Sequence, residues 1–212
     1  MEPVVFLTNW LIAVQCIYLF KKLHSLHSDQ ATVFHWKFFF LLFGGSTFFG
    51  GLSHLLFHYT GLAGKIPGWS LAILSITFLE WAVFHTDSKK NRFWIRLVWW
   101  QTGVIFLLLI LDFRFIWVTV QTVVGLVLVL GIYSFIQIRK GHQNWKGFLF
   151  GIGWMILSVP VVVLKIDPSP WFNRHDISHL LMMLCLHQFY LTILKISKEE
   201  DQKKGLHDAG LS

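Results

Sequence analysis

The stretch WKFFFLLFGGSTFFGGLSHLLFH, residues 36–58, decides what kind of protein this is. After Lys37 near its start it carries no formal charge, and it closes on two histidines four residues apart, His54 and His58. A helix needs about 20 residues to cross about 30 Å of hydrocarbon. A membrane strand needs only about 10, with apolar and polar residues alternating, and this stretch does not alternate. It therefore predicts a membrane-spanning helix.

Six further runs of the same kind flank it, so the seven lie at about 4–20, 36–58, 67–86, 93–111, 115–138, 145–165 and 176–196. Over 212 residues the chain is 55% hydrophobic and 14% charged, where soluble domains carry about 25% charge. Mean hydropathy is +0.59. The expected fold is all-α and integral to the membrane, with one seven-helix domain over residues 1–197 and a polar tail over 198–212 that has no fold of its own. No internal repeat or linker divides the chain. The net charge of +7 does not imply nucleic acid, because the basic residues sit in short loops between apolar runs. The expected partners are membrane lipids. Nothing in the sequence names a protein partner. Cys16 and Cys185 fall inside apolar runs and do not suggest a disulfide framework.

The loops orient the bundle. Lys21, Lys22 and Lys37 flank the first loop, Lys89, Lys90, Arg92 and Arg96 the third, and Arg139, Lys140 and Lys146 the fifth. The tail adds Lys195, Lys198, Lys203 and Lys204. The alternate loops hold only Lys65, then Arg114 beside Asp112, then Lys165 and Arg174 with Asp167. Excess Lys and Arg mark the cytoplasmic side, so the N-terminus is expected outside and the C-terminus in the cytosol.

On that orientation the second run ends outside at His58, and the last run begins outside near His175. His54 and His179 each lie one turn deeper, about 6 Å. Both pairs have the spacing that stacks two side chains on one helix face. Histidine inside a bilayer is costly and faces a bundle interior or a wet cavity. Zinc suits imidazole and takes three or four ligands, so His54, His58, His175 and His179 are candidate ligands. Two other readings stand beside this one: interfacial polar residues, and a haem held by one histidine from each helix.

At these residues the chain resembles the superfamily of seven-helix membrane hydrolases that includes the alkaline ceramidases, the progestin/adiponectin receptors and the lipid-remodelling phospholipases of GPI-anchored proteins. The likeness rests on His175-Asp176-Ile177-Ser178-His179 at the start of the seventh run and on Phe57-His58-Tyr59-Thr60 at the end of the second. It implies a zinc held by His58, His175 and His179. Two positions depart from the pattern. The family's serine four residues before the second-helix histidine is His54 here, with Ser53 one residue off. The family's acid near the start of the third helix is absent, Trp69 and Ser70 standing there instead. His54 is then either a fourth ligand or the second-run ligand in place of His58.

The function so implied is a zinc-dependent hydrolase acting on a lipid amide or ester, ceramidase-like. The alternatives are a non-catalytic receptor or sensor with a structural metal, and a bis-histidine haem protein. Asp176 is the nearest candidate general base, or a partner fixing an imidazole tautomer. Ser178 is the second candidate catalytic side chain, or else bonds its own helix. Asn173 is expected to cap that helix. Glu80, deep in the third run, is expected to be neutral, paired within the bundle, or part of a separate proton path. Asp112-Phe113-Arg114 is expected to close the hairpin between the fourth and fifth runs. Gly44, Gly45, Gly50 and Gly51 are expected to admit a neighbouring helix.

Overall fold

The computed structural model describes residues 3–26, 31–85, 91–169 and 171–208. The ends of loops carrying Thr86, Lys89 and Lys90, and the last four residues of the tail, lie outside them. All regular structure among the described residues is helical. The helices are α1 (Pro3–His24), α2 (Ala31–Thr60), α3 (Ile66–His85), α4 (Asn91–Asp112), α5 (Ile116–Thr122), α6 (Ile132–Arg139), α7 (Lys146–Val163) and α8 (Arg174–Asp208). A 3-10 turn, Gly61–Lys65, joins α2 to α3, and a π-helical segment, Val123–Gly131, makes α5 and α6 continuous. Among the described residues, six helical stretches are long and apolar enough to cross a membrane, the longest being the 54 residues Thr32–His85. The chain is a multi-pass membrane protein by that measure.

The longest stretch is not one rod. His35 stacks on His85 with ring centroids 4.3 Å apart, Phe38 on Phe78 at 5.2 Å, and Gly68 meets the backbone of Ser46 and Gly50. Residue numbers rise on one helix as they fall on the other, so α2 and α3 form an antiparallel hairpin. Gly61, at φ +55°, turns the chain there in a conformation that glycine enters freely. The same reading makes α1 antiparallel to α2, α3 to α4, and α7 to α8. By contrast, Thr8 meets Asp176 and His179 while Gln15 Nε2 donates to the Met183 carbonyl at 2.9 Å, so α1 and α8 run parallel.

Lipid is as apolar as a leucine side chain, so close packing and polar links hold such helices together. The glycines of α2 supply the packing, as their pattern predicts. A Cβ at Gly44 would sit 2.8 Å from Cys16 Cβ, and one at Gly51 would sit 2.9 Å from Trp10 Cδ1 and 3.2 Å from the Phe6 carbonyl. Trp36, Phe148 and Phe189 interlock lower in the core, with Trp36 and Phe148 stacked at 5.2 Å. Leu7, Val14, Leu107, Trp100 and Phe150 face outward, as a lipid-facing belt requires.

The turn at Asp112-Phe113-Arg114 matches expectation. Asp112 ends α4, accepts from Arg114 Nε at 2.6 Å and from Trp117 Nε1 at 2.9 Å, and Phe113 takes φ +48°. Asp167 binds Arg174 Nε at 3.0 Å, Nη2 at 2.5 Å and the backbone N–H at 2.9 Å, pinning the loop before α8. The tail differs from expectation. Helix α8 continues through Asp208, where no fold was expected. Its lysines, glutamates and glutamine are good helix formers, and a long preceding helix removes the cost of nucleation. Asn144 Nδ2 donates to Glu199 Oε2 at 2.8 Å and ties this extension back to the bundle.

Candidate functional site

The upper ends of α1, α2 and α8 meet at the histidine pairs, and α8 is built to start there. Asn173 caps it. Its Oδ1 accepts the His175 N–H at 2.8 Å, and Asp176 Oδ2 reaches back to accept the Asn173 N–H at 2.9 Å. This is a reciprocal capping box with a carboxylate in the first turn, where the helix dipole favours it. The cap fixes Asp176, which is fully buried, and so fixes where its second oxygen points.

That oxygen, Oδ1, accepts from Thr8 Oγ1 at 3.1 Å, and the same hydroxyl lies 2.7 Å from His179 Nδ1. A hydroxyl has one proton. Two oxygen acceptors stand in reach of it, Asp176 Oδ1 and the Val5 carbonyl at 3.2 Å, and with the proton on either one Thr8 Oγ1 accepts from His179 Nδ1–H. That arrangement sets one tautomer and leaves the His179 Nε2 lone pair bare. A carboxylate relayed to the far nitrogen of an imidazole is the arrangement that orients metal-binding histidines.

His54, half-buried on α2, and His175, exposed on α8, both lie within electrostatic reach of His179. His58 is exposed, its ring edge-on to Tyr59 with centroids 5.6 Å apart. His179 and Asp176 thus stand together through Thr8, with His54 and His175 close enough to act on His179 by charge, while His58, exposed like His175, has no such link. Ser178 bonds its own helix, Oγ donating to the Arg174 carbonyl at 2.8 Å. Asp176 has both oxygens engaged, which suits it to hold the site in place rather than to take a proton from a substrate.

The donor set suits zinc in kind: three imidazoles, one with its tautomer fixed. In placement it stops short of a closed shell. Among the described residues, no three His, Cys, Asp or Glu side chains already stand together at metal-binding distances.

Thr8 was not singled out by its sequence. A signal was present, because Thr8 and Asn9 interrupt the first apolar run at the depth of the histidines. Asn9 spends its amide on the Val5 carbonyl at 2.8 Å and packs against Gly51. Thr8 faces α8.

No curated protein and no solved structure matches this chain. One family does, over residues 4–198, which take in all the candidate ligands and every helix described above except Pro3 of α1 and the end of α8 beyond residue 198. Its description is "Family of unknown function (DUF6962)", and the chain belongs to that family.

Proposed function

We propose that the chain is a seven-span membrane hydrolase. It cleaves an amide or ester bond of a lipid near the non-cytoplasmic face, at a zinc held by His54, His175 and His179. The observation that carries this reading is Thr8 Oγ1, set between Asp176 Oδ1 at 3.1 Å and His179 Nδ1 at 2.7 Å. A relay that leaves one imidazole nitrogen bare at a helix end is hard to explain by packing alone. Zinc would supply Lewis acidity toward a carbonyl and an activated water. The chain's own residues do the rest. The capping box anchors Asp176, Asp176 orients Thr8, and Thr8 holds the ring of His179. His54 takes the second-helix position that the family resemblance gives to His58.

Seven spans follow from counting α2 and α3 separately and α5, the π-helical segment and α6 as one. The parallel pairing of α1 with α8 supports an odd number of crossings, since both then start on one side. The Lys and Arg bias supports an outer N-terminus and a cytosolic C-terminus. Single cysteines in a background free of Cys16 and Cys185 test this. Leu62→Cys should react with an impermeant maleimide added outside sealed cells, and Lys140→Cys only after the membrane is opened. The reverse pattern would invert the topology.

A specific observation favours a second reading. Both Asp176 oxygens are already hydrogen-bonded within the protein, and the third helix begins with Trp69 and Ser70 rather than an acid. The same metal would then be structural, in a receptor or sensor. Fatty-acid release from ceramide and phospholipid in mixed micelles separates the two. The hydrolase predicts release that is lost on chelation, restored by zinc, and lowered at least about 100-fold in His179→Ala. Zinc-loaded protein that releases nothing from either lipid class would refute catalysis on them and leave the sensor.

A further inference from the structure

Away from the histidines, a second polar cluster lies inside the bundle. Glu80 on α3 is fully buried. Gln101 of α4 donates Nε2 to Glu80 Oε1 at 2.9 Å, and Gln121 of α5 donates Nε2 to Oε2 at 3.3 Å. Gln101 Nε2 also lies 2.9 Å from Gln121 Oε1, which closes the triangle. Below Gln121 the backbone enters the nine-residue π-helical segment Val123–Gly131. Gly125 of that segment lies over Glu80. A Cβ there would sit 3.4 Å from Glu80 Oε1 and 2.2 Å from Ile76 Cγ2, so only glycine fits. π-helical turns are rare, usually a single turn, and recur at functional sites.

The choice of partners is informative. A buried carboxylate kept for structure is normally given an arginine or lysine, because a lone ion in hydrocarbon is expensive. Here α4 and α5 offer amides and the π-helical segment offers a glycine, none of which titrates. The titratable groups nearest on α3 belong to its other face. His85, with Nδ1 2.9 Å from the Trp81 carbonyl, stacks there on His35 of α2. An amide carries both donors and an acceptor, and it reverses them by a half-turn. With Glu80 ionised, both amides present N–H. With Glu80 neutral, half-turns of both amides let Gln121 Oε1 accept the new O–H and Gln121 Nε2 donate to Gln101 Oε1. The neutral state gives up the Gln101–Glu80 contact and keeps the other two, so the carboxyl stays hydrogen-bonded in both states with no second ionised group beside it.

We propose that Glu80, Gln101 and Gln121 form a proton-binding site inside the bundle, which gains and loses one proton in the folded protein. The step is a single transfer: the O–H bond forms at a Glu80 oxygen with a proton from water, and the amides reorient without gaining or losing one. The ligand is the proton itself, and a bound monovalent cation is the competing occupant.

The test is infrared difference spectroscopy on the full chain in lipid nanodiscs, stepping from about pH 8 to about pH 5. The wild type should gain a carboxylic-acid C=O band that is missing from Glu80→Gln and displaced in frequency in Gln121→Leu. Glu80→Asp keeps the carboxyl and should move the band. It serves as the second variant should Glu80→Gln fail to fold. The proposal fails if no band grows in the wild type, if the band survives Glu80→Gln, or if Glu80→Asp leaves it unmoved. A band suppressed by sodium at constant pH would replace the proton with a cation as occupant and also overturn it.

Discussion

Replacing Thr8 with valine removes one oxygen and keeps the shape. In the native site that oxygen joins α1 to α8 through contacts of 3.1 Å to Asp176 and 2.7 Å to His179. Thr8 is only 7% exposed and Asp176 is fully buried, so water cannot readily stand in. Asp176 keeps its bond from the Asn173 N–H but loses its second donor, a charge-assisted contact worth about 1.5–3 kcal/mol. His179 Nδ1 loses its acceptor and with it the fixed tautomer. Loss of such an outer contact costs about 10–100-fold in metal affinity. Thr8→Val should therefore lower zinc affinity by that factor, measured by competition with a fluorescent chelator in detergent. Thr8→Ser, which keeps the oxygen, should stay within about threefold of wild type. An unchanged affinity in Thr8→Val, alongside loss in His179→Ala, would refute the relay.

Further outcomes follow from other contacts. His54→Ala should lose zinc while His58→Ala keeps it, as read by metal content, since His58 faces outward. Gly51→Ala should lower the melting temperature in detergent, because its Cβ would lie within 3.2 Å of the Phe6 carbonyl; overpacking of this kind costs about 1–3 kcal/mol. The side-chain and backbone N–H groups of Arg174 hold the Asp167 carboxyl below its ordinary value. A lowered folded-state value stabilises above the unfolded value of about 3.9 and is lost as pH falls through the folded one. Asp167→Asn should thus melt slightly lower than wild type at neutral pH, and the gap should close below about pH 4. A gap that widens in acid would contradict the sign.

Much of this architecture can be read from the sequence because lipid imposes long apolar runs on any helix that crosses it. The hairpin at Asp112-Phe113-Arg114, the Asn173 cap and the small-residue face of α2 follow from local chemistry, and each is found. The spacing places His54 level with His179 and His175 one turn above them, and depth is a one-dimensional quantity that a sequence carries. Which face of α2 turns inward is not. Four residues apart, His54 and His58 share a helix face by number, yet α2 ends at Thr60 and the chain leaves the bundle just beyond His58. Thr8 is invisible for the same reason, since its role depends on α1 lying parallel to α8 across 168 residues. Gln101 and Gln121 are polar residues in apolar runs, which marks them as inward-facing, but only packing brings both to Glu80. The π-helical segment Val123–Gly131 has no signature in its composition, being a plain apolar run with two glycines.

The central claim is a metal at the outer ends of α2 and α8. The most direct measurement is elemental analysis of the detergent-purified chain beside the His175→Ala/His179→Ala double variant, both checked for equal helicity. The account predicts about one zinc per chain in the wild type and none in the variant. A wild type without zinc, or a variant that retains it, would contradict the account.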